Sequence, residues 1–369
     1  MLKRFNIILF LLLLLMNQKL LGQQLSKKNL SFRVDATHGF VLPEYQHFNY
    51  LVNKPVQGLE VSLTKAATGK NYWEQLYKYP EIGLALSYST LGNDKVFGSE
   101  LGLFPYAQIA FIRRPKFLFT NLFGLGIGYA TKKFDLENNY ENISVGSHFN
   151  VHFNFKLGTK WMLSKVLAIN SGLSFTHYSN ANMAEPNLGV NLLTAFAGIS
   201  YSPLPIGDLH TIQLDAHKIK NELAFIYSVG GKHTRALQST VYFTSSISGE
   251  YKYHLKRKFH IGGGIDLSYD TATEVEMSSP GKSDYRSIYD FRTGFHFSQE
   301  IVYDRFSFIL QEGIYLGLVD RVNNNFMYNR VILRWKFNDH FLVHASMRSY
   351  LHILDYPELG FGYYFLKSK

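Results

Sequence analysis

The stretch Phe149-Asn-Val-His-Phe-Asn-Phe-Lys-Leu157 alternates strictly between apolar and polar residues. Its odd positions carry large apolar side chains, and its even positions carry Asn150, His152, Asn154 and Lys156. Successive side chains of a β-strand point to opposite faces of a sheet. We therefore predict that this segment is a strand with one apolar face and one polar face.

The same period of two recurs along the chain, for example over 241–255, 259–269 and 327–337. These alternating runs are nine to fifteen residues long. Strands of a soluble β-sandwich are usually about five or six residues long, whereas a tilted strand needs about 9–11 residues to cross a bilayer. The pattern favours an all-β fold, a transmembrane antiparallel β-barrel, over a soluble sandwich.

Composition narrows the possible functions. The 369 residues include no cysteine, which excludes a disulfide scaffold and a cysteine-ligated zinc or iron–sulfur site. The net charge of +10 fits nucleic acid, an anionic membrane surface or a phosphorylated lipid. Because basic residues cluster in turns, at 113–116 and 255–258, we favour the membrane surface and expect no nucleic-acid partner. The fourteen histidines lack metal-site spacing, so no metal or cofactor is expected.

The first 22 residues are typical of a secretory signal peptide. Lys3 and Arg4 precede an apolar run of ten residues, 7–16, which is too short to span a bilayer as a helix. Cleavage after Gly22 would leave 23–369 as the exported chain. Export and long alternating strands together predict an integral protein of the outer membrane of a Gram-negative bacterium.

Sixteen strands are predicted, and short turns alternate with longer polar loops between them. They begin near Ser31, Gly58, Glu81, Leu101, Phe117, Ser147, Val166, Leu188, Leu209, Ser239, Lys258, Ser287, Arg305, Asn325, His340 and Glu358. Segment 65–80 is long where a short turn is expected, and we interpret it as an interfacial anchor. Either one enlarged barrel or a barrel with a fused second unit fits the pattern. We favour one barrel, because two apolar bands would need an awkward linker.

One polar group interrupts an apolar face. His177 and Ser179 share the parity of Leu173 and Phe175, which is predicted to face lipid. Their side chains are close enough to bridge, and an imidazole that accepts a hydroxyl proton makes the oxygen a nucleophile. The residues alone favour a simpler interpretation, in which the strand leaves the membrane at the headgroups and Ser179 and Asn180 open a turn.

The stretch His177-Tyr-Ser-Asn-Ala181, followed by Pro186-Asn-Leu-Gly189, resembles the signature of PagL-type lipid A 3-O-deacylases, which are often labelled acyloxyacyl hydrolases. This resemblance covers 31–203 and implies an eight-stranded outer-membrane esterase. It implies that His177 is the base and Ser179 the nucleophile, and that Asn180 and Asn187 shape the oxyanion site. The additional strands of 206–369 have the same pattern, and their end faintly echoes the motif without its His-x-Ser-Asn.

The chain departs from the family pattern at the third member of the triad. The family glutamate lies two residues after the motif glycine, where this chain has Asn191. An amide oxygen can hold the imidazole tautomer but cannot offer a full charge to the imidazolium. Glu185 in the adjacent loop is a possible substitute, and we favour Asn191.

The function expected from these features is removal of an ester-linked (3-hydroxy)acyl chain from lipid A of lipopolysaccharide by a serine esterase. Two other functions fit the same strands. A non-catalytic porin or lipid-binding barrel could retain the motif by descent, and a sixteen-strand barrel is wide enough for a channel. An outer-membrane phospholipase would differ in its preference for the lipid headgroup.

Overall fold

The computed structural model describes residues 29–43, 46–213, 221–234, 240–278, 282, 284–350 and 353–367. The predicted signal peptide, 1–22, lies outside these residues. The predicted all-β fold and its sixteen strands are confirmed. The described helical segments are short: α1 (Tyr72–Leu76), α2 (Thr273–Met277) and two 3-10 turns, Gln46–Leu51 and Ser287–Asp290. Within the described ranges, no helix has both the length and the apolar character needed to cross a membrane.

The strands form two closed antiparallel barrels of eight strands each. The first barrel consists of β1 (Leu30–Leu42), β2 (Val56–Ala66), β3 (Glu81–Thr90), β4 (Ser99–Arg114), β5 (Phe117–Ala130), β6 (Phe149–Met162), β7 (Leu167–Ser179) and β8 (Val190–Tyr201). The second consists of β9 (Asn221–Lys232), β10 (Tyr242–Tyr253), β11 (Phe259–Asp270), β12 (Phe291–Tyr303), β13 (Phe306–Tyr315), β14 (Met327–Lys336), β15 (Phe341–Tyr350) and β16 (Ile353–Lys367).

The preference for one enlarged barrel is therefore wrong. β8 does not pair with β9 but returns to β1, from Phe32 opposite Tyr201 to Leu42 opposite Asn191. In the same way β16 returns to β9. With an even number of strands, each unit begins and ends at the same end of its barrel. A connection that stays at that end therefore suffices, and the two apolar bands need no awkward linker.

The connection between the barrels also explains a misplaced strand. A strand was predicted to begin near Leu209, but β9 begins at Asn221. The backbone N–H of His210 donates to the carbonyl of Thr68, 2.7 Å away, and the N–H of Ile212 donates to Oε1 of Gln75, 2.8 Å away. These bonds commit the segment to the β2–β3 connection instead of a neighbouring strand.

Charged side chains fill the interior of both barrels. In the first barrel, Nζ of Lys156 lies 2.7 Å from Oε1 of Glu60 and 3.3 Å from Oδ2 of Asp35. In the second, the Arg334 guanidinium donates to both oxygens of Glu250, at 2.8 and 3.0 Å. Eight strands leave an interior just wide enough for side chains, so paired charges occupy the space that water would need for a channel.

The outward faces are apolar, as a lipid-facing surface requires. On β14, for example, Val331, Leu333 and Trp335 are exposed, whereas Arg330 and Arg334 are buried inside. The observed burial therefore follows the parity predicted from the sequence along this strand.

The two barrels contact each other near both ends. At the end with the short turns, the rings of Trp73 and Tyr77 lie 5.2 and 4.6 Å from the ring of Tyr303 on β12. Segment 65–80, interpreted from the sequence as an interfacial anchor, thus places α1 against the second barrel. At the end with the long loops, Nδ2 of Asn182 donates to the carbonyl oxygen of Asp355 on β16, 3.1 Å away.

Two filled barrels should not conduct ions, in contrast to one open barrel of sixteen strands. We expect purified protein in a planar lipid bilayer to give no stepwise channel openings, while a porin inserted under the same conditions supplies the positive control. Steady openings from the folded protein would contradict the filled interiors.

Candidate active site

The candidate site lies where β7 ends, at the long-loop end of the first barrel. Tyr178 fixes the orientation of this strand end because its side chain is only 1% exposed and packs in an apolar cluster with Val190 and Leu192. Neighbours of an inward-pointing residue point outward. His177 and Ser179 therefore lie half-buried on the outer surface of the barrel.

Three of the predicted site residues come together. Nε2 of His177 lies 3.2 Å from Oγ of Ser179, and Nδ1 lies 2.6 Å from Oδ1 of Asn191. The register explains the second contact, because His177 and Asn191 are direct cross-strand partners in the β7–β8 pair. Cross-strand partners point to the same face, so the amide reaches the imidazole from the side.

The hydrogen bond to Asn191 determines which nitrogen of His177 carries the proton. An amide oxygen can only accept, so Nδ1 must donate to it. The neutral ring then has its lone pair on Nε2, which faces the hydroxyl of Ser179. This is the tautomer that a general base needs in order to take the serine proton.

Asn180 and Asn187 lie in the β7–β8 loop and hold its shape. The backbone N–H of Asn180 donates to Oδ1 of Asn187, 2.9 Å away, and Nδ2 of Asn180 donates to the carbonyl of Ala184, 2.6 Å away. Asn180 is 3% exposed. Oδ1 of Asn187 accepts this bond, and its Nδ2 group is the part of the side chain that can donate to an oxyanion.

Gly189 lies against the imidazole of His177 and is not among the residues predicted for the site. Its φ of +73° lies in the left-handed region, and an added Cβ would be 3.0 Å from Cε1 of His177. Only glycine adopts this backbone conformation readily and leaves room for the imidazole. The signal was present, since Gly189 is the last residue of the quoted Pro-Asn-x-Gly segment.

Glu185, the possible substitute for Asn191, is not the residue bonded to the imidazole. Partial burial in the β7–β8 loop raises the pKa of the Glu185 carboxyl above its usual value, and the nearby His233 of the second barrel opposes that shift. The loop that follows Ser179 contacts the second barrel through the hydrogen bond from Asn182 to Asp355.

The second barrel lacks this machinery at the corresponding position. β15 and β16 are its seventh and eighth strands, and there Met347 pairs with Pro357 as His177 pairs with Asn191. Ser349 follows Met347 by two residues, as Ser179 follows His177. Thioether and proline cannot replace the imidazole and the amide, so among the described residues this pair supplies no base to the serine. No cluster of possible metal ligands is found among the residues that the structure describes.

Comparison with known proteins identifies the family. Residues 57–200 match the family model described as lipid A 3-O-deacylase (PagL). Residues 221–368 match the model described as acyloxyacyl hydrolase, C-terminal domain (PagL_C). No curated protein matches the chain.

Comparison with solved structures finds bacterial proteins at low sequence identity. Neisserial surface protein A is 9% identical and aligns over 47% of this chain and 97% of its own, with a TM-score of 0.30. Omp33 of Acinetobacter baumannii is 8% identical over 91% of this chain and 98% of its own, with a TM-score of 0.18. OccAB4 of the same organism is 8% identical over 92% and 98%, with a TM-score of 0.22.

The two family models lie on the two barrels and together span most of the chain. The protein is an outer-membrane β-barrel protein that belongs to the PagL family of lipid A 3-O-deacylases.

Proposed function

We propose that the first barrel is a serine esterase that removes an ester-linked acyl chain from lipid A, with Ser179 as nucleophile, His177 as base and Asn191 as the group that orients the base. The observation that carries this proposal is the continuous hydrogen-bonded series from Asn191 through His177 to Ser179. Membership of the deacylase family supports the choice of substrate.

The proposed chemistry needs only these side chains and water. Nε2 of His177 takes the proton of Ser179 as Oγ attacks the ester carbonyl carbon. The tetrahedral oxyanion accepts a hydrogen bond from Nδ2 of Asn187, and its collapse breaks the C–O bond to the sugar. The His177 imidazolium returns the proton to the leaving sugar oxygen. Water, deprotonated by the same nitrogen, then attacks the acyl-enzyme, and the imidazolium returns the proton to Oγ of Ser179 as the fatty acid leaves.

The outward position of the pair fits a lipid substrate. Polar side chains that face lipid are costly in the middle of a bilayer and tolerated near its surface. Ser179 is the last residue of β7, so it lies at the edge of the apolar band. Lipid A of the outer leaflet would reach it by lateral diffusion, and the predicted signal peptide would provide export of the chain.

The porin alternative loses its main support, because it depended on a single sixteen-strand barrel. A non-catalytic lipid-binding barrel would keep the fold and the filled interiors, and it differs from the esterase only in chemistry. An outer-membrane phospholipase would use the same residues on another lipid.

We expect Ser179→Ala to abolish deacylation of lipopolysaccharide. Mass spectrometry of lipid A after incubation with the folded wild type should show the loss of one hydroxyacyl chain, and the Ser179→Ala sample should be unchanged. Ser171→Ala, on the same face of the same strand, is the matched control and should retain activity. Unaltered lipid A with folded wild type, together with cleavage of a phospholipid, would support the phospholipase instead.

Replacement of Asn191 by aspartate should raise the turnover number about tenfold, because a carboxylate stabilises the imidazolium with a full charge. Asn191→Leu removes the acceptor for Nδ1 and should lower turnover about tenfold or more. Initial rates with saturating lipopolysaccharide across a range of pH would measure both effects. If neither variant changes the rate, Asn191 does not orient His177.

A further inference from the structure

A row of polar residues crosses the outward face of the second barrel. Glu312 on β13 lies opposite Asn329 on β14, which lies opposite Ser349 on β15. All three are half-buried and share the parity of the exposed residues Leu310 and Val331. We refer to Glu312, Asn329 and Ser349 as the polar row.

This row is unexpected on a surface that faces lipid. A carboxylate among apolar outward residues is costly unless polar groups or water reach it. Within the sheet, Nε2 of Gln299 donates to Glu312 across 3.5 Å, which is a long contact. The Glu312 carboxylate is therefore better explained by a polar partner outside the barrel than by lipid tails.

Two contacts between the barrels locate the row. Phe308 lies below Glu312 on the same face of β13, and its ring is 6.3 Å from that of Phe123 on β5 of the first barrel. Beyond the other end of the row, Asp355 on β16 accepts the hydrogen bond from Asn182. The polar row lies on the strands between these two contacts.

On the first barrel, the strands between the same two contacts carry the candidate site. The ring of Phe153 lies 5.2 Å from that of Phe123, and Phe153 is the cross-strand partner of His177. Ser179 lies one outward position further along β7, and Asn182 follows in the loop. The polar row and the His177–Ser179 pair are thus bracketed by the same pair of inter-barrel contacts.

We propose that the polar row forms the second wall of a substrate crevice between the barrels and binds the hydroxyl and amide groups of the sugar in a glycolipid. This inference rests on the proposed function, since it places the sugar beside the ester that Ser179 attacks. The Glu312 carboxylate accepts from O–H and N–H groups, while Asn329 and Ser349 can both donate and accept. Leu310 and Val331 beside them would contact the acyl chains.

The test compares a glycolipid substrate with an ester that has no sugar. Glu312→Leu, which matches the apolar residues around it, should raise the KM for lipopolysaccharide about tenfold, the effect of losing one hydrogen bond to a charged group. The loss of kcat/KM for lipopolysaccharide should exceed the loss for a short-chain p-nitrophenyl ester by a similar factor. Glu312→Gln should have a smaller effect and serves as the test variant if Glu312→Leu does not fold.

Ser245→Leu is the matched control. It makes the same kind of change, polar to apolar, on the outward face of β10, three strands away from β13 in the closed barrel. It should leave both substrates unaffected. Equal losses on both substrates for Glu312→Leu, or no change in the KM for lipopolysaccharide, would overturn the proposal.

A binding measurement separates this inference from the proposed function. In a Ser179→Ala background, native mass spectrometry of the detergent-folded chain should show lipid A bound about tenfold more weakly after Glu312→Leu. If the wild type cleaves no lipid but lipid A binding still depends on Glu312, the esterase proposal fails. The proposal that the polar row binds the sugar is then still supported. If the wild type cleaves lipid A and binding does not depend on Glu312, the polar row is wrong.

Discussion

An antiparallel sheet within a membrane has to pair its first strand with its last, because an open edge would leave backbone N–H and C=O groups without partners in lipid. Here this constraint is met twice, by the β1–β8 and β9–β16 pairs. Closure after eight strands makes each interior narrow, and ion pairs such as Lys156–Glu60 and Arg334–Glu250 fill it. Chemistry is consequently confined to the outer surfaces and the loops.

Polar groups on those outer surfaces are then the exceptions that need a reason. The first barrel has His177, Ser179 and Asn191 at the end of β7 and the start of β8. The second barrel retains a serine at the equivalent position, beside Met347 in place of a histidine. The outer surfaces of the two barrels therefore differ: the first has the hydrogen-bonded series from Asn191 through His177 to Ser179, and the second has the polar row.

The sequence alone predicted much of this arrangement. A period of two gave the strands and their inward and outward faces, and the same parity placed His177 and Ser179 together outside the barrel. The alternation cannot predict how many strands close each barrel, because side chains alternate between the two faces in the same way in barrels of eight and of sixteen strands. The inward charges are one indication of closure after eight strands. Lys156 pairs with Glu60 in the first half of the chain, and Arg334 pairs with Glu250 in the second half. A strand was wrongly predicted near Leu209 because a local sequence pattern cannot show long-range hydrogen bonds. His210 and Ile212 form such bonds to the β2–β3 connection.

The central claim is that His177 activates Ser179 as a nucleophile on the lipid-facing surface. The most direct measurement is peptide mapping of the folded protein after reaction with a long-chain alkyl phosphonofluoridate, which forms a stable bond with activated serines. The expected result is a single adduct on Ser179 that disappears in His177→Gln, while Ser349 stays unmodified. An adduct on another serine, or none on folded wild type, would contradict it.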